Sequence, residues 1–221
     1  MFNWGTLFFL SLMMTLLIHS PNASAKEKSK SIYTSNSQLR GFNSNYYCKE
    51  FSINPPTRKN WRDYMMAELS PEKYPLFFED NPADGAPSDL IKFCPNYPNL
   101  NVDQKKIILL RLFDGMVFFE STCNETAKGR GPNGIANGVL QLHLGREDDY
   151  ARGCRQYDSR DPKRSFSCSL KMLHDQVNNS NRIFSSGSYW EVLRPLGRSK
   201  KASAIANHLW YYPLCHKMPK D

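Results

Sequence analysis

The stretch NVDQKKIILLRLFDGMVFFEST, residues 101–122, has the pattern of a buried helix and sets the frame for the rest of the chain. Asn101 is a candidate N-cap, and Gln104 three residues later completes a capping box. Leu109, Leu112, Phe113, Met116, Val117 and Glu120 recur at intervals of three and four, the period of an α-helix. Apolar residues also spread beyond one stripe, which predicts a central helix covered on most sides. In the row Leu109, Phe113, Met116, Glu120 the glutamate continues the apolar face, whereas Lys105 and Lys106 belong to the polar one. A charge at such a rim is costly unless it has a partner or a task.

That position suggests the task. Burial disfavours the charged form of a carboxyl and raises its pKa. The negative end of the helix dipole pushes the same way. A carboxyl that keeps its proton near neutrality can deliver it to a leaving oxygen, so Glu120 reads as a general acid. The plain alternative is a frayed helix end whose glutamate faces water.

The chain of 221 residues opens with an apolar run from Leu7 to Ile18, followed by Ala23-Ser24-Ala25 and a charged segment. This predicts a signal peptide cut after Ala25, with the protein secreted or periplasmic. No Lys or Arg precedes the apolar run, a departure from the usual signal. Six cysteines, Cys48, Cys94, Cys123, Cys154, Cys168 and Cys215, are an even set, which in an exported chain favours disulfides. Spacing leaves their pairing open. None sits in a C-x-x-C pair or beside a histidine at metal-ligand spacing, so a zinc site has little support, and a carboxyl acting as general acid needs neither metal nor cofactor. His143, His174, His208 and His216 have no catalytic or metal-binding context either.

The formal charge of +8 favours an anionic partner. Basic residues are dispersed and not interleaved with aromatics, which argues against nucleic acid. Residues 26–45 are polar and read as a tether. Residues 46–100 are rich in proline and read as an irregular extension packed on the domain, with a short helix near Trp61. Residues 101–216 form the expected helical domain, and 217–221 a tail. Within it, KGRGPNGIANG reads as a glycine-rich loop without the Lys-Ser/Thr ending of a phosphate loop. DPKRSFSCSLKMLHDQVNN follows as a second long helix, with Asp161 as cap and Pro162 in the first turn. SSGSYWEVLRPL and ASAIANHLWYYPLC read as shorter helices. The fold class is mainly α, or α+β with little strand, in a single helical domain.

The run ESTCNETA, followed after a loop by GVLQL, resembles the lytic transglycosylase and goose-type lysozyme family. Glu120, Ser121, Asn124 and Ala127 match its first motif, and Gly138, Leu140 and Gln141 its second, with Val139 in place of the usual Leu and Leu140 in place of Met. DPKRSFSCSLKML resembles the family's next helix, with Ser165-Phe166 replacing Asn-Ile. These matches span residues 120 to about 173. The loop between the first two motifs looks longer than the family's by about three residues. The family's Ala-Tyr-Asn-Ala-Gly segment is absent, and SGSYWEV is its nearest counterpart by position.

The resemblance implies a lysozyme-like fold that cleaves the β-1,4 glycan of peptidoglycan as a monomer, without stable membrane insertion. Glu120 would protonate the glycosidic oxygen, and Tyr189 would orient it. Ser121, Gln141 and Asn137 would contact substrate or stiffen the site. Cys123 and Cys168 lie within the matched motifs, so disulfides would brace it. With Glu120 alone, the muramic 6-hydroxyl closes an anhydro ring. A second carboxylate opens hydrolysis, and the run Glu147, Asp148, Asp149 is its best source, ahead of Asp114 and Glu125. If that run lines the cleft, a free 2-ammonium on deacetylated wall glycan or chitosan becomes an alternative substrate. A non-catalytic wall-binding or inhibitor protein of the same fold is the other alternative.

Overall fold

The computed structural model describes residues 47–52, 60–131 and 133–216. The expected signal, tether and C-terminal tail, with residues 46 and 53–59 of the extension, lie outside them.

Five α-helices are described: α1 (Trp61–Glu68), α2 (Ser88–Phe93), α3 (Val102–Ser121), α4 (Pro162–Ser180) and α5 (Lys201–Trp210). Between α3 and α4 lies a three-stranded antiparallel sheet in the order β1 (Lys128–Gly131), β2 (Gly134–Asn137), β3 (Leu142–His143). The class is mainly α with a small sheet, as the sequence predicts.

The capping box of α3 is formed: the Asn101 side chain accepts the Gln104 N–H at 3.0 Å, and the Gln104 side chain accepts the Asn101 N–H at 3.0 Å. Leu109, Leu112, Phe113, Met116 and Val117 are fully buried. Close helix packing explains Gly115, where a Cβ would lie 3.3 Å from Ile205 on α5. One side chain departs from the amphipathic reading. Lys105 is buried, not solvated, and its ammonium donates to the Phe78 carbonyl and to Asp80. Its partners come from the irregular extension, which helix periodicity cannot foresee.

α4 starts where expected, with the Asp161 side chain accepting the Arg164 N–H at 2.9 Å. Phe166, Leu170, Leu173 and Val177 point inward from it. Phe166 meets Phe51 and Trp61 of the extension edge-on, with ring centroids 5.6 and 5.9 Å apart. The extension therefore contributes to the same core as α3 and α4.

Two expectations change. The glycine-rich segment is a β-hairpin, with Lys128 opposite Asn137 and Arg130 opposite Ile135. Its backbone pairs from Lys128–Asn137 to Gly131–Gly134, although its side chains show no alternation of apolar and polar residues. The SSGSYWEVLRPL segment holds only a single 3-10 turn, Glu191–Leu193, packed against α3 and α5.

The disulfides are Cys48–Cys123, Cys94–Cys215 and Cys154–Cys168. Two of them tie the extension to later parts of the chain. Bonds of this kind fit an oxidising compartment. No helix among the described residues is long and apolar enough to cross a membrane.

Candidate active site

Glu120 occupies the last full turn of α3. The chain leaves that helix through two successive left-handed residues, Thr122 (φ 51°) and Cys123 (φ 63°). Neither is glycine, and such conformations cost about 1–3 kcal/mol each and persist only where the surroundings impose them. The Cys48–Cys123 bond holds this turn in place. Behind it, the Cys48 N–H donates to Asp114 at 2.8 Å, so the extension is fastened to the helix twice, on either side of Glu120.

The Glu120 carboxyl accepts no hydrogen bond among the described residues. Burial pushes its pKa up from 4.5 to about 7, and the charge of Glu191 adds to the rise. Glu191 comes from the 3-10 turn that packs against α3 and is itself exposed. Its Oε1 accepts the Ser199 N–H at 2.8 Å. Glu191 was not among the candidates drawn from the sequence. It lies two residues past Tyr189, and only the fold brings that segment against α3.

Tyr189 lies close enough to feel the charge of Glu120, and burial first, then that charge among others, raises its pKa. Its hydroxyl is not bonded to the Glu120 carboxyl. It donates to the Gln141 carbonyl at 3.2 Å and accepts the His143 N–H at 3.0 Å. The neighbouring Trp190 indole donates to the Leu140 carbonyl at 2.9 Å. Two adjacent aromatic residues thus pin the backbone of the GVLQL motif. Tyr189 also packs edge-on against Tyr150 and His143, with centroids 4.8 and 5.3 Å away.

The other candidates are engaged in structure. The Ser121 hydroxyl donates to the Val117 carbonyl one turn back at 3.0 Å. Gln141 sits at φ 48°, and its side-chain amide donates to the carbonyls of Ala127 (3.1 Å) and Gly138 (2.8 Å), closing the base of the hairpin. Asn137 donates to the Ser159 carbonyl at 3.0 Å. Gly138 is required beside it: φ is +77°, and a Cβ would lie 2.1 Å from the Ser159 carbonyl oxygen.

The acidic run divides. Glu147 is fully buried and accepts the N–H groups of Tyr157 (2.9 Å) and Ser159 (3.1 Å). Burial alone would raise its pKa, but these hydrogen bonds outweigh it and hold the carboxylate below its usual range. Asp149 is exposed and paired with Arg146 at 2.9 Å, and Asp148 is exposed. Asp114 is fully buried with the Arg111 guanidinium at 3.3 Å, and burial raises its pKa to about 7 against the pull of Arg111. Among the described residues no group of three or more His, Cys, Asp or Glu is placed to hold a metal.

This arrangement has the elements of acid catalysis. One carboxyl has its pKa raised to about 7, by burial first and then by the charge of Glu191 from a different element.

No protein-family model matches the chain, and no curated protein matches it. Solved structures do. Wild-type Bd0314 DslA, a Bdellovibrio protein, aligns at 26% identity with a TM-score of 0.58, over 72% of this chain and 92% of that one. Two glutamate-to-glutamine mutants of the same protein align at 25% and 26% identity, each with a TM-score of 0.56 over the same shares. The chain is thus similar in fold to Bd0314 DslA across most of the length of both.

Proposed function

We propose that this protein is a secreted glycosidase that cleaves the β-1,4 glycan backbone of peptidoglycan, with Glu120 as general acid. The observation that carries the reading is the Glu120 carboxyl itself. It lies at the end of a buried helix without a hydrogen-bond partner among the described residues, and its pKa is raised to about 7. A carboxyl with such a pKa can give up its proton near neutral pH, and its conjugate base is then strong enough to take one back. The motif residues that follow in register, the disulfides and the anionic character of the wall support the same reading.

In this mechanism Glu120 protonates the glycosidic oxygen as the bond to the anomeric carbon breaks. The substrate's acetamido group stabilises the developing positive charge. Glu120, now a carboxylate, then accepts a proton from the incoming nucleophile, either water or the muramic 6-hydroxyl. Tyr189 and Trp190 act indirectly, by fixing the GVLQL backbone. Asp114 stays in the helix interior, clamping the extension.

Glu191 favours a second reading of the substrate. An exposed carboxylate near the acid attracts a free 2-ammonium, so an N-deacetylated glycan would bind better than an acetylated one. Without an acetamido group to assist, hydrolysis would then replace ring closure.

The test is digestion of purified wall sacculi, native and chemically deacetylated, with the wild type and Glu120→Gln, followed by mass spectrometry of the products. New anhydro or reducing ends from the wild type and none from the variant support the glycosidase. Sacculus binding without cleavage by either protein would favour a wall-binding module.

A further inference from the structure

Beside the candidate acid lies a cationic loop that the mechanism does not use. Residues 194–200 connect the 3-10 turn to α5, and their backbone is tightly closed. The Gly197 N–H donates to the Arg194 carbonyl at 2.9 Å, and the Lys200 N–H to the Gly197 carbonyl at 3.1 Å. The Ser199 N–H donates to Glu191. Any side chain at Gly197 would crowd this turn, because a Cβ there would lie 2.9 Å from the Glu191 carbonyl oxygen. Arg194 belongs to the scaffold, with its Nε donating to the Ser188 carbonyl at 2.8 Å.

The remaining cations do not. Arg198, Lys200 and Lys201 are exposed, and none has a carboxylate partner among the described residues. The Lys201 ammonium lies over the Phe119 ring, 4.9 Å from its centroid. The cluster therefore borders the residue immediately before Glu120. Between Arg194 and Arg198, Leu196 is 97% exposed. Like charges held within four residues on a closed loop repel one another, and an anionic ligand relieves that repulsion.

We propose that this loop is an anion-recognition site on the rim of the active site, and that its ligand is the carboxylate-bearing stem peptide of peptidoglycan. Arg198, Lys200 and Lys201 read the carboxylates, and Leu196 covers an alkyl side chain between them. The identity of the ligand rests on the glycosidase reading, whereas the cationic loop does not. A lipid bilayer fits less well, because the loop carries none of the aromatic residues that mark membrane interfaces.

The test compares the full secreted protein with an Arg198→Gln/Lys200→Gln/Lys201→Gln variant, both carrying Glu120→Gln so that bound glycan survives. Binding is measured to immobilised glycan strands with stem peptides, to strands stripped of them by an amidase, and to vesicles containing phosphatidylglycerol. The starting protein is expected to prefer peptide-bearing strands by about tenfold at low salt, as a few rim charges would give. That preference should shrink as salt rises from about 50 to 500 mM. The neutralised variant should show a ratio of about one, and charge reversal to Glu at the three positions should invert it. The proposal is overturned if the starting protein shows no preference or the variants keep it. It is also overturned if the substitutions abolish vesicle binding while leaving the peptide preference intact. Cleavage by wild-type protein is scored separately. A collapse of the ratio without any cleavage would sink the glycosidase and leave the loop's role standing.

Discussion

The charge of Glu191 raises the proton affinity of the Glu120 carboxyl, although the two come from distant parts of the chain. Burial makes the larger contribution, and the like charge adds to it. A carboxyl whose pKa is raised in this way can hold a proton near neutral pH, which is what a general acid needs.

Replacing Glu191 by Gln should therefore lower the pKa of Glu120. In a pH–activity profile the alkaline limb, where the acid loses its proton, should move to lower pH by up to about one unit. An unmoved limb with intact activity would mean that Glu191 is a bystander.

Glu120 should cost the fold stability at alkaline pH. Its carboxyl pKa is raised from 4.5 to about 7 in the folded chain. The favourable contribution is therefore full below the unfolded value and is lost as pH climbs through the folded one. Asp114, raised to about 7 by burial, contributes with the same sign. Glu120→Gln should thus be inactive yet more stable than the wild type at pH 8, by on the order of 2 kcal/mol, with little difference at pH 4. Urea unfolding at the two pH values checks this.

Tyr189→Phe separates support from direct contact. The substitution removes the hydrogen bonds to the Gln141 carbonyl and from the His143 N–H. Stability should fall by about 1–2 kcal/mol, and kcat should fall with it. The alkaline limb of the pH profile should stay within a few tenths of a unit, because no bond to Glu120 is lost. A shift of a full unit would show that the hydroxyl acts on the carboxyl itself.

Both long helices were legible in the sequence because their signals are local. The Asn101–Gln104 box and the Asp161 cap are each complete within four residues, and the burial of α3 follows from its period. Glu120 could be singled out on the same grounds. The roles of its neighbours could not. Ser121, Asn137 and Gln141 find partners in the backbone, and Glu147 is held by N–H groups ten and twelve residues away. Such partners depend on how loops close, which periodicity does not encode. The hairpin was missed because KGRG and GIAN carry no alternating pattern. Glu191 is not legible in the sequence because only the fold packs its 3-10 turn against α3.

The disulfides should differ in what they protect. Cys48–Cys123 closes 75 residues and Cys94–Cys215 closes 121, so chain entropy assigns each a stabilisation of about 4–5 kcal/mol. Only the first is bonded next to the turn after Glu120. Cys48→Ala/Cys123→Ala should lose far more activity than Cys94→Ala/Cys215→Ala at temperatures where circular dichroism shows both fully folded. Equal losses would mean that the brace serves the fold alone.

The most direct test of the central claim is a carbon-13 NMR titration of the glutamate side-chain carboxyls, with Glu120 assigned by its loss in Glu120→Gln. The account predicts one carboxyl titrating near pH 7 that disappears in the variant. A Glu120 resonance titrating in the ordinary carboxylate range would contradict it, since the group would then have no proton to give at neutral pH.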